Sequence, residues 1–306
     1  MSITMTGGMT FSGAFTVTLP PTSYKAIFGY GSVSNTTNQS VTNLVSNTGV
    51  VATDTTGVGT ARTYLAAAGY GSDKAIFGYG YTTGPVSMTN LVSNTGIVST
   101  DTTGVGTARY YITAATYGTN KAIFGYGYTG GAFTAITNLV SNTGVVSTDT
   151  TGVGTARQGV AAAGYGTDKA IFGYGYIGTQ LSMTNLVSNA GVVATDTTGV
   201  GTARQQLAAA GYGSDKAIFG YGSAGPGVSV TNLVSNTGVV ATDTTGVGTA
   251  RYGLAAAGYG TDKAIFGYGA GNWSITNLVS NTGVVATDTT GVGTGRWNPA
   301  AASYGT

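Results

Sequence analysis

The sequence predicts an all-β repeat protein, on three observations: a motif that recurs six times, a composition that favours strands, and turn-forming words at fixed places in each recurrence. The run Lys-Ala-Ile-Phe-Gly-Tyr-Gly starts at Lys25, Lys74, Lys121, Lys169, Lys216 and Lys263, at spacings of 49, 47, 48, 47 and 47 residues. Each copy also holds Thr-Asn-Leu-Val and an Arg that closes a Thr/Gly run: Arg62, Arg109, Arg157, Arg204, Arg251 and Arg296. Periods of this length mark solenoids, propellers and arrays. Fifty-three Gly with abundant Thr and Val disfavour helical repeats and suit strands.

Within one copy four strands are predicted. "LAAAGYG" is nearly all small, as an innermost strand must be where several sheets crowd toward an axis. "KAIFGYG" is apolar on both faces, as expected of a strand buried between neighbouring sheets. "TNLVSN" and "VVATDTT" follow as third and fourth strands. Gly-Ser/Thr-Asp separates the first two and Ser-Asn-Thr-Gly the last two, supplying residues that tolerate the positive φ of tight hairpins. Four strands in about 47 residues, six times over, predict a six-bladed β-propeller of four-stranded blades around a central channel.

The competing β-solenoid would leave open ends that need caps. Here the chain finishes with "RWNPAAASYGT", which matches "RYGLAAAGYGT", while the first Lys-Ala-Ile-Phe run has no such strand before it. The segment Trp297 to Tyr304 is therefore predicted to be the inner strand of the first blade, so that the C-terminal strand closes the ring. Residues 25–306 then form the propeller. Residues 1–24 form a short N-terminal extension, in which "MTFSGAFTVTLPP" alternates like a strand and stops at Pro20-Pro21. The extension is surplus to six blades, and attachment to a partner is its expected use.

The order of an Arg, a small-residue strand, an apolar strand ending in glycines and a third strand containing Asn resembles a kelch-type blade over residues 25–306. The chain departs from kelch in "FGYG", where kelch has a Gly-Gly pair, and in "DTTGVG", where kelch carries a Trp. Near-identical "TNLVSNTGVVATDTTGVGTAR" repeats after an N-terminal "GGMTFSGAFTVT" are similar in style to repeat proteins of tailed-bacteriophage virions. That resemblance implies a virion component: a tail-fibre, baseplate or capsid-decoration module. Its partners would be other virion proteins, or a second copy, through residues 1–24, and a host surface glycan or protein on the ring. A free-standing lectin-like module, extracellular or on a cell surface, is the alternative.

Composition excludes much chemistry. With no Cys, no His and no Glu, the chain has no Ser-His-Asp triad and no thiolate or imidazole zinc site. The copper radical oxidases of the kelch fold need Cys, Tyr and His around their metal, so nothing of that site carries over. No cofactor is expected. A net charge of +2 with 7% charged residues leaves no basic footprint for nucleic acid, and no stretch approaches the ~18 apolar residues of a membrane helix. Glycoside hydrolysis by paired Asp remains possible in principle, since it needs only two carboxylates. Every Asp, however, has a repeat address: six stand eight residues before an Arg and four directly before a Lys.

Variation between copies is concentrated in two places. From Thr-Asn to Arg is always 20 residues and from Arg to the next Lys always 12, whereas Lys to Thr-Asn runs 17, 15, 16, 15, 15 and 13. The loop after "FGYG" therefore absorbs every length change. The second place is the pair after each Arg, which supplies Tyr64, Tyr110, Tyr111, Gln158, Gln205, Gln206, Tyr252 and Trp297; the loop of the last copy adds Trp273. In an up-and-down blade both places fall on one end of the ring. Flat aromatics with amide and hydroxyl neighbours suit sugar rings or a protein partner, although loops on which nothing packs vary in the same way. The expected function is a non-enzymatic structural and binding protein.

Overall fold

The computed structural model describes residues 25–34 and 37–305. The extension at residues 1–24 lies outside the described residues. Among the described residues there is no helix, only antiparallel sheets: six of three strands and one of two. Numbering repeats from their lysines, the middle strands are Lys25–Gly29, Lys74–Tyr81, Lys121–Gly125, Lys169–Tyr176, Lys216–Gly220 and Lys263–Gly267. Their outer neighbours are Thr42–Val45, Pro85–Val92, Thr137–Val140, Gln180–Val187, Thr231–Val234 and Thr276–Val279. The inner strands of sheets two to six are Ala66–Tyr70, Thr113–Tyr117, Ala161–Tyr165, Ala208–Tyr212 and Ala255–Tyr259. The inner strand of sheet one comes from the other end of the chain: Ala300–Tyr304 pairs antiparallel with Lys25–Gly29, Ile27 opposite Ala302.

Three strands per sheet, rather than the four predicted, is a correction with a visible cause. The "VVATDTT" segment touches the third strand at only two single bridges, Val45 with Val51 and Thr42 with Thr55. Between them the Asn43 side chain intervenes, its Nδ2 donating to the Ala52 carbonyl at 3.0 Å and to Asp54 Oδ1 at 2.8 Å. Asp54 itself faces the next sheet, where it accepts from the backbone N–H of Thr294. A segment bonded through a side chain on one side and to a neighbouring repeat on the other cannot extend a regular ladder.

The core lies between sheets. Ala, Ile and Phe of every middle strand are fully buried, and the Phe of one repeat packs edge-on against the "FGYG" Tyr of the preceding one, as Tyr126 with Phe172 at 5.1 Å. Glycine makes this approach possible: a Cβ on Gly125 would stand 2.9 Å from the Phe172 ring. The inner strands touch in the order of sheets two, three, four, five, six and one, and sheet one touches sheet two. Their contact is closest at Gly69, Thr116, Gly164, Gly211, Gly258 and Ser303. There a Cβ on Gly164 would lie 3.2 Å from the Thr116 carbonyl oxygen, and the two hydroxyl residues donate instead to a neighbouring carbonyl, Thr116 to Gly69 and Ser303 to Gly258.

The six arginines are the largest side chains in the interior, all at most 2% exposed. Arg157 shows the pattern. Its guanidinium lies 4.4 Å from the centre of the Tyr126 ring in its own repeat. It then donates to the Tyr174 carbonyl at 2.7 Å and to Asn185 Oδ1 at 2.7 Å, both in the next repeat, and to the nearby Thr155 carbonyl at 3.0 Å. Tyr126 adopts φ of 62°, as its five counterparts do within a few degrees, a left-handed conformation that costs a non-glycine residue about 1–3 kcal/mol. The stacking of the ring on Arg157 and of Phe172 on the ring holds it there.

Each Asp before an Arg joins two repeats. Asp196 accepts from the Thr155 N–H and hydroxyl and from Asn185 Nδ2, with Arg157 at 3.6 Å. Burial opposes ionisation of these carboxyls, but the hydrogen bonds and the arginine outweigh it and hold them below their usual value. Burial pushes the Tyr79, Tyr126, Tyr221 and Tyr268 phenols up to about 12, against the nearby arginines. A depressed carboxyl stabilises the fold above its unfolded pKa and loses that effect as pH falls through the folded value. A raised phenol stabilises below its unfolded pKa and loses it as pH rises through the folded one. With no His or Cys to titrate between, the thermal midpoint is expected to stay flat from about pH 5 to 9 and to fall below about pH 4 and above about pH 10. A scan showing a step near pH 6–7 would contradict this assignment.

Candidate ligand-binding face

The two variable places are neighbours in space. The first residue after five of the six Arg bridges to the loop after "FGYG": Thr63 with Tyr81, Tyr110 with Tyr128, Gln158 with Tyr176, Gln205 with Ser223 and Trp297 with Ser32; the sixth, Tyr252, accepts from the Ala270 N–H. The second residue turns toward the axis in the left-handed region: Tyr64, Tyr111, Gly159, Gln206, Gly253 and Asn298 have φ between 46° and 64°. Their backbones link across repeats, with N–H of Gly159 donating to Tyr111, Gln206 to Gly159, Gly253 to Gln206 and Asn298 to Gly253. These residues line an axial mouth of about 70 Å³.

On one side of this mouth the aromatics gather. Tyr64 and Tyr111 lie 4.0 Å apart between ring centres, and Tyr110 sits 5.3 Å from Tyr111. From Tyr110 a row runs across repeats two to four: Tyr81 at 4.9 Å, Tyr128 at 5.6 Å, then Phe133 at 5.3 Å from Tyr128 and Tyr176 at 6.4 Å from Phe133. All are half-buried. Burial raises the Tyr110 phenol, helped by Tyr128, Tyr81 and Tyr64, and raises that of Tyr111 further, helped by its bond to Tyr64 and opposed by Gln206. The surface is therefore uncharged and rich in hydroxyls at neutral pH.

Of the residues singled out in sequence, Tyr64, Tyr110 and Tyr111 belong to this cluster. Gln206 joins it at the axial mouth. Tyr252 and Trp297 make a separate pair at 6.3 Å, Gln158 and Gln205 lie between, and Trp273 stands apart in its loop at 43% exposure. Sequence reading missed Tyr81, Tyr128, Phe133 and Tyr176, because it compared loop lengths and not loop contents. The signal was present: a Tyr directly follows "FGYG" in repeats two, three and four, where the others have Ser32, Ser223 and Ala270.

A larger cavity of about 270 Å³ opens at the other end, among the hairpin turns between first and second strands. Its lining repeats the same Tyr, Thr/Ser and Asp-Lys positions, and the charges are paired locally, Lys169 with Asp168 at 3.3 Å and Lys216 with Asp215 at 3.0 Å. The differences between repeats there are small, Thr116 and Ser303 standing where three others have Gly164, Gly211 and Gly258, and both hydroxyls are already bonded to neighbouring carbonyls. Among the described residues no three His, Cys, Asp or Glu gather as a metal site would require. Nine of the ten Asp are held below their ordinary value, opposite to the raised carboxyl that a glycosidase acid needs. Comparison with family models and with curated protein sequences returns no match to this chain.

Proposed function

We propose that the chain is a six-bladed β-propeller that binds a neutral carbohydrate on its loop face, without catalysis. The ring is supported by the inner strands touching in a cycle and by the junction of repeats six and one, which shares two contacts with the internal junctions. There Arg296 donates to Asn43 Oδ1 at 2.7 Å, as Arg157 does to Asn185, and Phe28 packs on Tyr268 at 5.0 Å. The observation that carries the function is the aromatic row Tyr81, Tyr110, Tyr128, Phe133 and Tyr176, absent from the other half of the face. Aromatic faces cover the apolar side of a sugar ring while neighbouring hydroxyls and amides meet its polar edge, and the large apolar body with a polar tip is what makes Tyr a binding residue. The setting implied by the phage resemblance, display on a particle with residues 1–24 as tether, belongs to the same proposal and rests on that resemblance.

Replacing Tyr110 and Tyr128 together by Ala is expected to weaken binding on an oligosaccharide array about 10- to 100-fold, at about 0.7–1.4 kcal/mol for each lost ring contact, with an unchanged far-ultraviolet spectrum. Equal binding by the double variant and the parent would remove the row from the site.

A further inference from the structure

Three buried side-chain polar atoms have no hydrogen-bond partner among the described residues: Thr63 Oγ1, Trp297 Nε1 and Arg296 Nε. Two of the three residues, Thr63 and Trp297, share one place. Thr63 and Trp297 line a cavity of about 100 Å³ together with Ser32, Asn38, Tyr64, Tyr81 and Asn298, and Arg296 directly precedes Trp297. Buried donors are paired in the great majority of cases, and leaving one unpaired costs about 1–3 kcal/mol. The five other arginines obey this rule at the same atom, their Nε donating to the Tyr carbonyl of the next repeat at 2.7–2.9 Å. The exception is confined to the junction of repeats six and one, where the loop is longest.

We infer that this cavity is a monosaccharide pocket, in which a sugar hydroxyl accepts from the Trp297 indole N–H and another pairs with the Thr63 hydroxyl. The cavity has no charged lining residue, which selects a neutral ligand. Its polar groups are hydroxyls, amides and one indole N–H, matched to a ligand that carries both donors and acceptors. Tyr64, Tyr81 and Trp297 supply flat walls, and Asn38 is already fixed by its Nδ2 donating to the Tyr81 carbonyl at 3.2 Å. At about 10–15 Å³ per water by the same measure, the volume holds several waters or one edge of a pyranose. Thus a bound sugar would satisfy the donors that the fold leaves open. Tyr81 is shared with the aromatic row, so the pocket would anchor one end of a longer chain lying along it. The inference rests on the carbohydrate reading of this face.

The test uses the full chain carrying Trp273→Phe, so that Trp297 is the only indole, titrated with the methyl glycosides of glucose, galactose, mannose and N-acetylglucosamine. Saturable change in Trp297 fluorescence with at least one of them is expected. Thr63→Val, which removes the hydroxyl at nearly constant shape, and Trp297→Phe, followed by ligand-observed magnetic resonance, should each weaken that binding about three- to tenfold, the worth of one net hydrogen bond. Thr261→Ala, at the cavity on the other end, should leave monosaccharide binding as it was. No response to any glycoside, or equal binding by Thr63→Val and Trp297→Phe, would overturn the pocket. If the oligosaccharide array then still binds and is lost in the Tyr110/Tyr128 variant, the face keeps its function and the pocket alone fails; if the array is blank, the carbohydrate reading fails with it.

Discussion

Arg157→Ala is expected to destabilise the protein by about 3–5 kcal/mol, the range for breaking a buried charged network by removing one partner. The substitution deletes three hydrogen bonds to Tyr174, Thr155 and Asn185 and the stacking on Tyr126. It also strands groups on both sides of the junction: the Tyr174 carbonyl and Asn185 Oδ1 lose a donor in a dry place, and Tyr126 keeps a left-handed backbone without its stacked partner. Lys cannot substitute, since a single ammonium has no fork to reach two acceptors in two directions while lying flat on a ring. Arg157→Lys should therefore recover less than half of the loss. Urea unfolding of the three proteins measures this, and a loss below about 1 kcal/mol for Ala, the value of an exposed ion pair, would show that the arginine is not the clamp between repeats. A repeat array has a further reading. If neighbouring repeats couple mainly through this residue, the transition should also broaden, because cooperativity in such arrays lies in the interface terms.

Deleting residues 297–306 is expected to have the larger effect, abolishing a single cooperative transition. The lost segment includes Ala300–Tyr304, whose Ala300, Ala302 and Tyr304 are buried and whose backbone pairs with Lys25–Gly29 over five residues. Without it Ile27 and Phe28 open to water and the Lys25–Gly29 strand becomes an unpaired apolar edge, the usual template for aggregation. Contacts of the inner strand with those of sheets six and two disappear as well. A synthetic peptide of residues 297–306 added to the truncated chain should restore part of the melting transition by pairing in trans, as an added strand does on any exposed edge. A truncated chain that melts like the parent would mean that Ala300–Tyr304 contributes nothing to holding repeat one in place.

The repeat boundaries, the strand character of the first three words and the pairing partner of the terminal strand were legible because they depend on neighbours in sequence. An apolar run of five with a Lys at its head reads as a buried strand wherever it stands, and "RWNPAAASYGT" can be matched to "RYGLAAAGYGT" letter by letter. The two variable places were legible for the same reason. What they held was less so: Tyr81, Tyr128 and Tyr176 each look like the tail of a strand until the fold sets them beside Tyr110 and Phe133.

The sequence by itself determined an all-β chain of six like units, with no Cys, no His and a net charge of +2. Only the tertiary structure decided the roles of its charges and the order of its fourth segment. An Arg at the end of a Thr/Gly run reads as a surface cation. It is buried because the Tyr beneath it and the Asn and carbonyl in front of it belong to different repeats, with Asn185 lying 28 residues ahead of Arg157 and Asn43 lying 253 behind Arg296. The "VVATDTT" segment has the β-branched pattern of a strand, and loses regularity because Asn43 and Thr294 take bonds that a local reading assigns to the ladder. Both outcomes turn on desolvation, since a polar group removed from water must find its partner wherever the fold supplies one. The unpaired Trp297 N–H, Arg296 Nε–H and Thr63 hydroxyl became visible in the same way, once the other buried side-chain donors among the described residues had been matched.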